Sequence, residues 1–260
     1  MTIRGCLNQG ERRIIMGKTL AKYNFKNSGF PMVYDKATAE SVLGMFPVVF
    51  YDDFIGNAGG DIFDGTIKWA VVDVGDATEA IVANSYCGEF LLHLHVTTED
   101  EDAVLYMGNN KNFDLNKGLI FETRLTVTTL PTLTAEAVFG MCADHNLDND
   151  TAAVSAWFKL DGSGALLTET DDTTNDEDDT ATGITLVAGE YHIFRIDFTT
   201  LTDVKFYVDG VRVSTATTFD MSNISAAEGK TQPYFSLDKT GDAGLGDVTI
   251  DYVKIFQDRS

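Results

Sequence analysis

Four prolines and three cysteines in 260 residues are too few for a proline-rich linker chain or a disulfide-stapled scaffold. The cysteines, Cys6, Cys87 and Cys142, are odd in number and lack metal-ligand spacing, and no apolar export segment follows Met1. Reduced thiols in a protein folded in the cytosol are therefore expected. No apolar run approaches the roughly 18 residues needed to cross a bilayer, so a membrane-spanning reading fails. Basic residues are also scarce, 19 against 40 acidic, for a formal charge of −21. A surface this acidic repels nucleic acid phosphates and anionic membrane, and neither is expected as a partner. Helix-period stretches are rare.

The charge that is present is unevenly placed. Residues 1–47 hold Arg4, Arg12, Arg13, Lys18, Lys22, Lys26 and Lys36 against Glu11, Asp35 and Glu40, a surplus of +4, so residues 48–260 carry −25. Residues 1–46 read as an irregular, extended basic arm, interrupted by Gly5, Gly10, Gly17, Gly29 and Pro31, with a helical turn or two over residues 37–45. A short basic arm is drawn to an acidic surface, and Arg4, Arg12, Arg13, Lys18, Lys22 and Lys26 are its candidate partner-binding residues. The alternative is a solubilising body charge with an accidental basic start.

From Pro47 the texture changes. Short runs rich in Val, Ile, Thr, Phe and Tyr recur with turn signals every 8 to 15 residues, as in a sandwich or barrel. Strands are predicted over 48–54, 66–72, 80–84, 89–96, 103–107, 119–128, 135–142, 153–160, 165–170, 183–187, 191–199, 204–208, 211–215, 234–238 and 248–256. About fifteen strands are too many for one sheet and suit two packed ones. The fold class is all-β, a two-sheet antiparallel sandwich over residues 47–260. Asp209-Gly210, between Val204-Lys205-Phe206-Tyr207-Val208 and Val211-Arg212-Val213, is a strong type I′ hairpin signal. In the run from Leu119, the residues Leu119, Phe121, Thr123, Leu125 and Val127 share one face, which predicts a strand with that face buried. The acidic run from Asp171 to Asp179 is expected to be a solvated loop.

Several motifs in order carry a family resemblance: Tyr51-Asp52-Asp53-Phe54, Asp64-Gly65 with Trp69, Leu119-Ile120-Phe121-Glu122-Thr123-Arg124-Leu125, Phe158-Lys159-Leu160-Asp161-Gly162, Phe206-Tyr207-Val208-Asp209-Gly210 and Ile250-Asp251-Tyr252-Val253-Lys254-Ile255-Phe256. Together they resemble the concanavalin A-like jelly rolls, which include laminin G-like modules, laminarinase-like glycoside hydrolases and bodies found in bacteriophage structural proteins. The resemblance implies a jelly roll, and a structural calcium near the first and last strands that would map to Asp53 and Asp251. The chain departs from the hydrolases. Those carry E-x-D-x-x-E on one strand, because a retaining glycosidase needs two carboxyls about 5 Å apart. Here the strand after the Glu122 strand offers only Glu136, so no catalytic residues are assigned.

Other constellations allow two readings each. Asp144, Asn146, Asp148 and Asp150 place oxygen donors at alternate positions, like the start of a calcium loop, and are the candidate metal ligands. Asn149 replaces the glycine at position six and Ser155 the glutamate at position twelve, so a plain polar loop is the competing reading. His93 and His95 alternate on one strand, but His145 and His192 complete no metal site by spacing. Trp69, Trp157, Tyr86, Tyr106 and Tyr234 are either core or a sugar-stacking platform.

The function expected is that of a virion structural protein, a capsid decoration or head-fibre component of a bacteriophage, binding capsid or other virion proteins through its basic arm as a homo-oligomer. It is not expected to be an enzyme, and no cofactor is assigned beyond the possible calcium. The alternative is a lectin-like module binding cell-surface glycan, and the third reading an inactive or divergent glycoside hydrolase.

Overall fold

The computed structural model describes residues 13–16, 19–24, 32–35, 41–42, 48–55 and 69–258. Its first strands are β1 (Arg13–Met16), β2 (Thr19–Asn24), β3 (Met32–Asp35) and β4 (Ser41–Val42), which pair antiparallel in that order as a separate sheet. The stretch read as irregular thus contains short strands, each of two to six residues, too brief to register as sustained alternation. Ser41–Val42 is extended where a helical turn was expected.

The remaining strands are β5 (Val48–Asp52), β6 (Ala70–Val74), β7 (Thr78–Ile81), β8 (Phe90–Leu94), β9 (Glu101–Tyr106), β10 (Phe113–Asp114), β11 (Ile120–Thr129) and β12 (Glu136–Cys142). They continue with β13 (Ser155–Leu160), β14 (Ala165–Asp171), β15 (Asp176–Thr185), β16 (Tyr191–Asp197), β17 (Lys205–Val208), β18 (Val211–Arg212), β19 (Lys230–Lys239) and β20 (Gly246–Gln257). One sheet runs β15-β14-β13-β12-β19-β9-β6, with β10 also on β19. The other runs β18-β17-β16-β11-β20-β8-β7, with β5 also on β20. All the pairings are antiparallel, and the two sheets form the expected jelly-roll sandwich.

Alternation along each strand sends one set of side chains into the space between the sheets. From the first sheet come Leu105, Phe139, Phe158 and Phe235; from the second come Phe121, Phe194, Ile196, Phe206 and Ile255. The rings interlock across the gap: Phe139 and Phe194 have centroids 4.7 Å apart, and Phe158 lies 5.1 Å from Phe194 and 5.2 Å from Phe206. Burying a side chain of this size contributes roughly 1.5–3 kcal/mol, so this aromatic layer is a principal source of stability.

The Asp209-Gly210 turn forms as predicted, with φ of 49° and 77°. Positive φ at both central residues matches the right-handed twist of the flanking strands β17 and β18. On β11 the predicted face is buried, but so are Ile120, Glu122 and Thr126 on the opposite face. Its place between β16 and β20 accounts for this, since a central strand is flanked on both sides and its outward side chains pack beneath those of its neighbours.

The acidic run is the main departure from the sequence reading. Asp171 ends β14, residues 172–175 turn, and Asp176 begins β15, an edge strand. Asp172 builds the turn: fully buried, its carboxylate accepts the N–H groups of Thr174, Asn175 and Asn223 at 3.0, 2.6 and 3.0 Å. The other carboxylates are tolerated because β15 has neighbours on one side only and its side chains reach water.

Candidate functional site

Among the described residues, a dense assembly of polar and aromatic side chains lies on the outer face of the first sheet, turned away from the aromatic core. Cross-strand register decides its membership. Glu136 on β12 is opposite Asp238 on β19, and Asp238 is opposite Asp102 on β9, so three strands place three carboxylates in one row. One row along, Val138 lies between Lys159 and Ser236. In the next row Gly140 lies between Trp157 and Tyr234, and Glu169 is opposite Trp157.

Gly140 is required there. A β-carbon at that position would stand 2.2 Å from the Ala156 carbonyl oxygen and 2.6 Å from the Trp157 Cα. With no side chain at 140, Trp157 and Tyr234 approach to 6.0 Å between ring centroids across β12. The Trp157 indole N–H donates to Glu169 Oε2 at 2.8 Å.

Lys159 is the cationic hub, 3.0 Å from Glu169 Oε1, 3.3 Å from Asp179 and 3.7 Å from Glu136. Burial nonetheless pushes the Glu169 carboxyl up to about 7, opposed by the Trp157 N–H and by Lys159. Asp102 is pushed up to about 6 by burial, opposed by the Ser236 hydroxyl at 3.3 Å. Asp238 is held well above the ordinary carboxylate range, first by burial and then by Glu136 and Asp102. Among the described residues, no cation lies within ion-pair distance of Asp102 or Asp238.

The loop between β12 and β13 closes over this face. Asn149 donates its side-chain amide to Asp238 at 2.9 Å and accepts from the Tyr234 hydroxyl at 3.2 Å. His145 Nδ1 is 3.0 Å from the same hydroxyl, and burial lowers the His145 pKa. Ala152 packs with Trp157 and Tyr234 in a small apolar cluster. Gln232 secures the loop's base: its carbonyl accepts the N–H groups of Met107 and Asn109 at 3.0 Å each, and its amide donates to Ala143 O at 3.1 Å and Asn109 Oδ1 at 2.9 Å.

The candidate calcium residues belong to this loop. Asp144 is paired with Lys111 at 2.9 Å, Asn146 Oδ1 accepts the Asp148 N–H at 3.4 Å, and Asp148 precedes a short 3-10 turn whose backbone includes Asp150, its carbonyl and not its side chain accepting the Thr151 N–H at 3.1 Å. Among the described residues no group of three or more His, Cys, Asp or Glu is arranged to hold a metal ion. Asp251 pairs with Arg124, and Asp53 accepts from the Tyr51 hydroxyl at 3.3 Å. His93 pairs with Asp247 and stacks edge-on against His95, with 4.4 Å between ring centroids.

Of the candidate arm residues, Arg4, Arg12, Lys18 and Lys26 lie outside the described residues, and Arg13 and Lys22 are placed by backbone alone, on β1 and β2. Cys6 also lies outside them; Cys87 is an exposed free thiol and Cys142 a buried one whose pKa burial raises. Trp69, Trp157 and Tyr234 are buried, so they belong to packing and not to an open stacking surface, whereas Tyr86 is 93% exposed.

Sequence reasoning found Glu136 alone because it looked for partners on the same strand. Asp102 and Asp238 come from strands 34 residues before and 102 residues after it. Their only sequence signal is a carboxylate at an outward-facing position in a β-rich run. Glu122, the other strand glutamate, belongs to the second sheet, where it accepts from the Tyr252 hydroxyl at 3.2 Å and faces Lys254 at 3.7 Å. Glu122 and Glu136 therefore lie on opposite sheets.

The architecture is that of the concanavalin A-like, lectin-like β-sandwiches. Residues 85–251 match the family described as SO2946-like, C-terminal domain, and the chain belongs to that family. The crystal structure of SO2946, a protein of unknown function from Shewanella oneidensis MR-1, superposes with a TM-score of 0.55 at 14% identity, over 80% of this chain and 86% of that one. A structure from members of the human gut microbiota that express endo-acting O-glycanases to initiate mucin breakdown gives 0.54 at 12% identity, over 80% and 98%. The metal-free Emp46p carbohydrate recognition domain gives 0.51 at 8% identity, over 80% and 96%. No curated protein matches the sequence.

Proposed function

We propose that this chain is a virion structural protein of a bacteriophage, a capsid decoration or head-fibre component, whose residues 1–46 dock on the particle and whose sandwich stands outside it. The observation that carries this reading is the division of charge. A segment of +4 precedes 213 residues carrying −25, so one end is attracted to an acidic lattice that the body itself is repelled by. The acidic edge strand β15 suits a body that must stay soluble in a crowded assembly and must not pair edge to edge with its neighbours. The protein would fold in the host cytoplasm, associate as a homo-oligomer and catalyse nothing, its strand glutamates being committed to tyrosine and lysine partners.

Mass spectrometry of particles purified from a host carrying the gene tests this. The chain is expected at a fixed ratio to the major capsid protein, and reversing the charge of Arg12, Arg13, Lys18 and Lys22 is expected to strip it from the particle. Absence of the wild-type chain from purified particles would sink the proposal.

A second reading is a glycan-binding module. It is favoured by the fold shared with the Emp46p carbohydrate recognition domain. Saccharide-dependent thermal stabilisation of the purified chain would support it, and the buried state of Trp157 and Tyr234 argues for a ligand that contacts other residues.

A further inference from the structure

We propose that the four-stranded sheet β1–β4 is a third layer of the molecule, seated on the outer face of the second sheet of its own chain, over the row that holds Ile120 and Phe256.

Burial is found where a two-layer sandwich should meet water. On β11, β16 and β20 the residues Phe121, Ile196 and Ile255 point into the space between the sheets, so Ile120, Glu122, Arg195, Lys254 and Phe256 belong to the outer face. Phe256 and Glu122 are nonetheless fully buried, Ile120 is 1% exposed, and Arg195 and Lys254 are buried as well. Neighbouring strands shield such residues from the side; only a further layer shields them from above. On the first sheet that layer is the loop between β12 and β13, which closes over Trp157 and Tyr234. On the second sheet no strand among the described residues of the sandwich supplies it: the strands in substantial contact with β11, β16 and β20 are their sheet neighbours and, across the core, β12 and β19.

The chain enters the sandwich beside these residues. β5 starts at Val48, opposite Gln257, and Val49 is opposite Phe256. β4 ends at Val42, and the six steps from there to Val48 extend at most about 22 Å, so the small sheet is tethered near this row. Exposure rises away from it: in the next row Tyr51, opposite Lys254, is 47% exposed. The stretch between Ile55 and Trp69 leaves and rejoins the sandwich at the other end of β5, where the Trp69 indole donates to Asp52 at 2.8 Å.

Register divides the small sheet into two faces. One is mostly apolar and takes Ile14, Met16, Ala21, Tyr23, Val33 and Val42; the other is mixed and takes Arg13 and Lys22, directly opposite each other. A single sheet has nothing of its own to bury an apolar face against, so the first face needs a partner layer. Like charges directly opposed are disfavoured, which turns the second face toward water. Ile120 and Phe256 offer the first face apolar ground. Glu122 lies between Arg195 and Lys254, so the charges beneath the cover are already matched. The basic face is then presented away from the acidic body, an orientation that suits docking on a particle, although the layer itself does not depend on that reading.

Amine-reactive cross-linking of the full chain, mixed in equal parts with heavy-isotope-labelled chain and read by mass spectrometry, tests the layer. Lys117 and Lys205 flank the covered row: the Lys117 carbonyl accepts the Asp258 N–H at 2.9 Å, and Lys205 is opposite Asp197, which is opposite Ile120. Lys18, Lys22 and Lys26 are expected to link to these two within one copy, in preference to Lys111 beside the first-sheet loop. Ile14→Asp should abolish the links, and Ile15→Asp, the adjacent position on the other face, should keep them. Links confined to Lys111, links only between copies, no links to Lys117 or Lys205, or equal loss in the two variants would each overturn the proposal.

Discussion

Asp238 and Asp102 face each other across β19 and β9 with one serine hydroxyl, that of Ser236, between them, 3.3 Å from Asp102 and 3.5 Å from Asp238. Both bind a proton more tightly folded than unfolded, as do Glu169 and Glu79, each raised to about 7. For an acid with a raised folded pKa, the stabilisation is complete below the unfolded pKa near 4 and is lost as pH rises through the folded value. Thermal stability is therefore expected to fall between pH 5 and pH 8. Below pH 4 the trend reverses, because Glu101 and Asp114, lowered by hydrogen bonds and lysine partners despite their desolvation, lose those interactions on protonation. Melting temperatures across pH 3 to 8 check both limbs, and Asp102→Asn should flatten the upper one.

Gly140 is expected to tolerate no side chain. Gly140→Ala puts a methyl against the Ala156 carbonyl and the Trp157 backbone, neither of which can swing aside. Overpacking of this kind costs about 1–3 kcal/mol. Thermal or urea unfolding should show that loss; an unchanged midpoint would mean that β12 and β13 separate without cost.

Gln232→Leu removes a fully buried side chain that satisfies two backbone N–H groups and a backbone carbonyl. Leaving buried donors unpaired costs about 1–3 kcal/mol each, so a loss of roughly 2–4 kcal/mol is expected. Exchange protection should fall first at residues 107–110 and 143.

Phe158→Ala opens the aromatic layer between the sheets and is expected to destabilise the sandwich by about 3–5 kcal/mol. Chemical denaturation measures it, and a loss under 1 kcal/mol would show that the core collapses into the space.

Calcium at about 5 mM, enough to fill a weak extracellular-type site, is expected to leave the melting temperature unchanged, because Asp144 is already paired with Lys111 and Asn146 with the Asp148 backbone. A rise reversed by chelator and abolished by Asp148→Asn would establish a calcium loop instead.

Local chemistry made much of the fold legible. Alternation of Val, Ile, Thr and Phe located nearly all the sandwich strands, and Asp209-Gly210 specified its hairpin, because a period of two and a need for positive φ are properties of a few adjacent residues. The charge split between residues 1–47 and the remainder is likewise a fact of the sequence itself. Tertiary structure alone decided the rest. It placed Glu136 beside Asp238 and Asp102, sent Glu122 to the opposite sheet, and turned Asp172 from one of a row of repelling charges into the buried acceptor that shapes a turn. Each of these depends on which strands become neighbours and in what register, and register follows from packing the two inner faces together, a condition no short window of sequence contains.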